Sequence, residues 1–310
     1  MAISTQRCMA NLIPHEVLTQ IIEYCIYTIL DSGHRRANCD DPSLWKYTHA
    51  CRHWRLTILA APWLWTMVRY RQRRRPEGIV LNGKEIMHLT GMIHQLSAAR
   101  RVPLYISVEH HAAAAEAQVA VKFLSNYHRQ WRQISFTVGA RSVESMFALR
   151  DTWFFDELEV LKLYVDAAGD SEIACFPTTT FSHTPKLRSL ILHTIAIDTP
   201  HFPWTQIVSL RLSNVVAERR ELQEILLQCV ATLKTLVLEL LVFEDTSGGR
   251  QHSFQLASIL LPYLDRLDLG SFQDSKPEAT GLLESLRLPA LTYLDMYGSD
   301  TTIMEVRTFI

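Results

Sequence analysis

Apolar residues recur along this chain with two periods, a helical one near the N-terminus and a period of two in short runs spread over the rest. Leu18, Ile21, Ile22, Cys25 and Ile29 stand at i, i+3, i+4, i+7 and i+11, which puts them on one stripe of a helix. Pro14 lies at the start, where a missing N–H costs nothing, and Glu16 lies in the first turn, where the helix dipole favours negative charge. A polar stretch from Asp31 to Pro42 breaks the pattern. Ser43 then caps a second periodic run of Leu44, Tyr47, Cys51, Trp54 and Ile58. Pro62 ends or restarts that run. Trp63, Leu64 and Trp65 follow, bulky enough to lock helices against one another, so three helices are expected over residues 11–70.

Further on, Ile86, Leu89, Ile93 and Leu96 predict an amphipathic helix. Leu104, Ile106 and Val108 predict a strand, and the Ala112 to Ala115 run opens another helix through Phe123, Leu124 and Tyr127. From there a frame of apolar-x-x-apolar-x-apolar returns as Trp131/Ile134/Phe136, Leu158/Leu161/Leu163, Leu187/Leu190/Leu192, Ile207/Leu210/Leu212, Leu233/Leu236/Leu238, Leu264/Leu267/Leu269 and Leu291/Leu294/Met296. Its middle members fall 27, 29, 20, 26, 31 and 27 residues apart, a repeat of leucine-rich-repeat length with irregular loops. Helical patterns lie between several of these rungs: Leu222, Ile225, Leu226 and Cys229; then Leu256, Ile259 and Leu260; then Leu282, Leu283 and Leu286.

One such unit cannot bury its apolar face, but stacked units share a continuous core. Each fully buried leucine then contributes roughly 1.5 to 3 kcal/mol before entropy. A parallel-stranded solenoid with its leucines inward is the expected outcome, the residues between them facing outward on a concave sheet face. One outward column would hold Lys162, Ile191, Arg211, Val237, Asp268 and Asp295. The next would hold Tyr164, His193, Ser213, Glu239, Gly270 and Tyr297. The early rungs are basic and the later ones acidic, with Tyr164, Tyr293 and Tyr297 as aromatic anchors. Lys162, Tyr164, His193, Arg211, Glu239, Asp268, Tyr293, Asp295 and Tyr297 are therefore the candidate substrate-binding set, against the plain alternative of a solvated sheet face. The apolar tail of Ile303, Met304, Val306, Phe309 and Ile310 is expected to fold back as a partial last rung.

Three blocks in order carry a family resemblance: Leu12-x-Pro14-x-Glu16-Val17-Leu18-x-x-Ile21-Ile22, then Cys51-Arg52-x-Trp54-Arg55, then Ala61-Pro62-Trp63-Leu64-Trp65. Together they resemble an F-box. The resemblance implies a module that clips onto a Skp-type linker of a cullin–RING ubiquitin ligase through Leu12, Pro14, Val17, Leu18, Ile21, Trp54, Trp63 and Trp65. The remainder of the chain would select a protein substrate. The later region resembles the degenerate leucine-rich repeats found behind many F-boxes of fungal type. It departs from the family in lacking most of the asparagines that follow the strands, with only Asn214 near that position. The implied fold class is an α+β or α/β repeat: a three-helix F-box-like module at 11–70, a basic linker and connecting helix at 71–100, and a leucine-rich-repeat-like solenoid at 101–310.

Composition narrows this picture without naming a partner. With 310 residues, 48% hydrophobic, 20% charged and a formal net charge of -1, the chain has room for a sizeable core. It lacks the basic excess of a general nucleic-acid binder. The cluster Arg69-Tyr70-Arg71-Gln72-Arg73-Arg74-Arg75-Pro76 reads as a solvated linker, with nuclear import or an acidic partner as the functional alternative. Cys8, Cys25, Cys39, Cys51, Cys175 and Cys229 include no Cys-x-x-Cys pair and read as reduced packing residues. No signal core or long apolar run is present, so an intracellular protein of the cytoplasm or nucleus is expected.

Motifs for nucleotide binding, zinc proteolysis and the serine nucleophile elbow are absent. His49, Cys51 and His53 stand at i, i+2 and i+4, a spacing that splits the cysteine from the two histidines on a helix, and His110-His111 reads as a loop pair. No cofactor, metal or catalytic residue is expected. The sequence reading is a non-catalytic substrate-recognition adaptor. A repeat scaffold independent of ubiquitination is the alternative, and an enzyme assembled from scattered His, Asp and Ser residues is the remaining one.

Overall fold

A computed structural model describes residues 13–31, 44–72, 83–110, 114–139, 147, 153–166, 180–195, 202–217, 219–240, 242–243, 258–270 and 285–296. The chain divides into two compact units, one of Met1–Val68 with Asn82–Leu104 and one of Arg69–Leu81 with Tyr105–Ile310.

The first unit is helical. Helix α1 (His15–Asp31) buries Leu18 and Ile22, the inner stripe of its periodic pattern, at 0% and 1% exposure. The second periodic run does not form one helix. It is split into α2 (Leu44–Thr48) and α3 (Arg52–Ala60), because Cys51 is extended at φ -162 and ψ 173 and starts a new helix. Arg55 stabilises the break by donating from Nε to the Thr48 carbonyl at 3.0 Å, a cation on the free carbonyls of a helix end. A 3₁₀ turn at Pro62–Trp65 closes this part. Its Trp65 indole is fully buried and donates to the Ile58 carbonyl at 2.9 Å. Helix α4 (Gly83–Ala99), the connecting helix of the sequence reading, belongs to this unit and buries Met92, Leu96 and Ala99.

The second unit is organised by one sheet. In chain order the strands are β1 (Met67–Gln72), β2 (Leu104–His110), β3 (Trp131–Gly139), β4 (Val160–Asp166), β5 (Ser189–His193), β6 (Ser209–Ser213), β7 (Val216–Ala217), β8 (Thr235–Glu239), β9 (Val242–Phe243), β10 (Ile259–Leu260), β11 (Arg266–Leu269), β12 (Leu286–Arg287) and β13 (Tyr293–Met296). Nine of them form one sheet in the order β1-β2-β3-β4-β5-β6-β8-β11-β13, and every register from β3 onward is parallel. Helices α5 (Ala114–Ser125) and α6 (Arg219–Cys229) accompany it.

Ile134, Leu161, Leu190, Leu210, Leu236 and Leu267 lie side by side across six successive strands, each 0% exposed. Phe136, Leu163, Leu192, Leu212, Leu238 and Leu269 form the next buried row. The inward alternation read from the sequence is the observed one.

The expected fold class is nevertheless corrected. The protein is an α/β fold dominated by a nine-stranded sheet with six α-helices among the described residues, not a three-helix module followed by a leucine-rich-repeat solenoid. The sheet already includes β1, so the basic run is not merely a linker: Arg69 to Gln72 are strand, and Arg69 pairs with Glu109 of β2. A helix for each strand also fails. Ile259 and Leu260, expected in a helix, form β10, which pairs in parallel with β12 where Leu286 was expected to be helical. Apolar runs this short do not distinguish helix from strand.

The segments that connect β3 to β6 contribute a stack of aromatic rings. Trp153 stacks on Phe155 (5.4 Å, 11°), Phe155 on Phe181 (5.5 Å, 20°) and Phe181 on Phe202 (5.3 Å, 17°), with Trp131 and Trp204 at the flanks. The C-terminal tail from residue 297, and with it Tyr297, lies outside the described residues.

Candidate protein-interaction surfaces

Helix geometry sorts the expected linker-binding residues of the first unit into two groups. Val17 and Ile21 are 45% and 43% exposed, Pro14 is exposed, and Trp63 on the 3₁₀ turn is 51% exposed. Leu18 and Trp65 are instead fully buried and hold the unit together. Trp54 is half-buried against Tyr47 (6.5 Å, 30°), with its indole Nε1 enclosed and unbonded. Leu12 lies outside the described residues.

A step of one residue turns a helix by 100°, which is why neighbours such as Val17 and Leu18 part company. Tyr24 continues the exposed stripe at i+7 from Val17, and Leu56 and Leu59 are exposed on α3 at i and i+3. These three were missed by the sequence reading. The signal was present in α1, which carries a second apolar stripe beside the one that packs inward. Large exposed apolar side chains mark an interaction surface where they form a contiguous patch, and these residues are the candidates for one in this unit.

His15 and His53, with rings 4.6 Å apart, tie α1 to α3: His15 bonds the Thr57 hydroxyl and His53 Nε2 meets the Ile13 carbonyl at 2.9 Å. These bonds occupy His53 in packing, and no metal-binding group of His, Cys, Asp or Glu exists among the described residues.

The outward face of the sheet assembles most of the other candidate set. Lys162, Ile191, Arg211, Val237, Asp268 and Asp295 are neighbours across β4, β5, β6, β8, β11 and β13, as their spacing implied. In the adjacent column Tyr164, His193, Ser213 and Glu239 lie side by side. Arg211 Nη2 is 2.7 Å from Glu239 Oε1, and the Ser213 hydroxyl donates to Glu239 Oε2 at 2.8 Å. Burial works to raise the Glu239 pKa but is outweighed by the bonds from Arg211 and Ser213, which hold it below the usual carboxylate value. His193 lies 6.0 Å from the Tyr164 ring, and burial lowers its pKa, favouring the neutral imidazole. Burial raises that of Tyr164.

Gly270 completes the column by leaving space. A Cβ there would stand 2.8 Å from Glu239 Cγ, closer than side chains tolerate. At the far end Arg266 bonds Asp268 Oδ2 at 3.0 Å and lies 4.4 Å from the Tyr293 ring centre. The Tyr293 hydroxyl donates to Asp295 at 3.0 Å. Hydrogen bonding to Asp295 keeps that hydroxyl protonated to higher pH. The other oxygen of Asp268 is enclosed with no partner.

Directly after the polar column the chain turns through the left-handed region at Thr194 (φ 57), Asn214 (φ 50) and Leu240 (φ 52). These stacked turns interlock, since the Thr194 amide donates to the Ser213 carbonyl and the Asn214 amide to the Glu239 carbonyl. Asn214 Nδ2 also donates to the Thr194 hydroxyl at 3.0 Å.

Among the described residues no helix is long and apolar enough to cross a membrane. Cys25, Cys51 and Cys229 form no disulfide among the described residues, and burial pushes the Cys229 thiol pKa up to about 12, which suits packing rather than reactivity. No protein-family model, curated protein or solved structure matches this chain.

Proposed function

We propose that this chain is a non-catalytic substrate-recognition adaptor of a Skp–cullin–F-box ubiquitin ligase, acting in the cytoplasm or nucleus. The observation that carries the reading is the exposure of Val17, Ile21 and Trp63. These are residues that the F-box resemblance assigns to the linker, and solvent is a costly place to leave them. In this reading the first unit captures a Skp-type linker through that apolar surface. The outward sheet face then holds a protein substrate, raising its effective concentration near the ubiquitin-loaded enzyme without any bond chemistry on this chain.

The test is co-elution of the whole chain with a Skp-type linker in gel filtration at micromolar concentrations. A stable complex supports the adaptor. Absence of a complex overturns it in favour of a scaffold that works without ubiquitination.

A further inference from the structure

The outward sheet face has an asymmetric layout of charge. Lys162 on β4 has no ion-pair or hydrogen-bond partner among the described residues. In the middle of the same column Arg211 is neutralised by Glu239, with Ile191 and Val237 on either side of it. On β11 and β13 the balance is negative, because Asp268 and Asp295 share the single cation Arg266. The column is thus positive at one end, apolar and neutral in the middle, and negative at the other.

We propose that this face binds an extended protein segment lying across the strands, with an acidic residue over Lys162, apolar residues over Ile191 and Val237, and a basic residue over Asp268 and Asp295. The inference deepens the substrate-receptor half of the adaptor reading and rests on it. Adjacent strands are about 4.8 Å apart, so four to five strand steps separate Lys162 from the two aspartates by roughly 19 to 24 Å. An extended chain rises about 3.3 Å per residue, which places the acidic and basic residues about six to seven positions apart. The opposed charges set register and exclude segments of the wrong polarity, while the apolar middle supplies buried area.

The probe is a fluorescent seven-residue peptide with glutamate first, leucine third and fifth, arginine last and threonine elsewhere, titrated against the whole chain by anisotropy. One control moves the arginine beside the glutamate, and a second carries glutamate at both ends. The parent peptide should bind about tenfold more tightly than either control, and the difference should shrink as salt rises. Lys162→Glu should weaken parent binding by a similar factor and restore affinity for a peptide whose first residue is lysine. Circular dichroism on that variant establishes that it is folded.

No parent binding at about 1 mM, equal binding of parent and controls, or undiminished binding by folded K162E each overturn the inference. Linker capture is read on the same protein. Capture without peptide binding overturns this inference alone, whereas peptide binding without capture overturns the adaptor reading alone.

Discussion

At the scale of single residues the sheet core makes the firmest demands. Leu236 is fully buried between Leu210 and Leu267, so Leu236→Ala removes methyl groups that neighbours on both strands enclose. A loss of about 2 to 5 kcal/mol is expected in urea melts, and a near-neutral result would contradict the inward placement of this column. His193 gives a second expectation. Its folded pKa lies below the ordinary 6.5, and it faces Tyr164, Arg211 and Glu239. The unfolded chain therefore takes up a proton near pH 6.5 while the folded chain does so only at lower pH. Stability is full above that value and falls as the solution is acidified below it. Glu239, with its pKa held down, adds a further loss only below about pH 4.5. His193→Gln should flatten the dependence just below pH 6.5 and leave the lower one. These residue positions were legible in the sequence because alternation with a period of two fixes which side chains share a face.

At the scale of elements legibility was partial. The helix around Leu222 to Cys229 and the strand of Leu104 to Val108 formed as their periodicity required, since each pattern ran long enough to exclude the alternative. The run from Leu44 to Ile58 did not reveal its break, because periodic apolar residues sit on both sides of Cys51 and only the backbone there is extended. The aromatic stack was missed altogether. Its clearest signal is an aromatic residue three positions before the first apolar member of two rungs: Phe155 before Leu158 and Trp204 before Ile207. Phe181 sits mid-stack between Phe155 and Phe202 at 0% exposure, so Phe181→Ala opens a cavity that no single neighbour can fill. A cost of about 3 to 5 kcal/mol is expected in thermal or denaturant melts, and a loss under about 1 kcal/mol would show that the stack is not a structural element.

At the scale of the whole molecule two compact units serve two proposed contacts. The repeat period was legible in the leucines, but the continuous sheet was not, because β1 is built from a run whose arginines suggested a solvated linker. The candidate linker surface was half legible. Motif spacing picked out Val17, Ile21 and Trp63 together with Leu18 and Trp65, and only the fold separates the exposed members from the buried ones. That separation yields the most direct test of the adaptor account. Linker affinity is measured by calorimetric titration for the wild-type chain, for Val17→Glu with Ile21→Glu, and for Asp295→Lys on the sheet face. The account predicts linker binding by the wild type and by Asp295→Lys, and a loss of at least tenfold for the helix variant in its folded state, since two charges replace apolar contacts. Unchanged linker affinity in the folded helix variant, or no binding by the wild type, would contradict it.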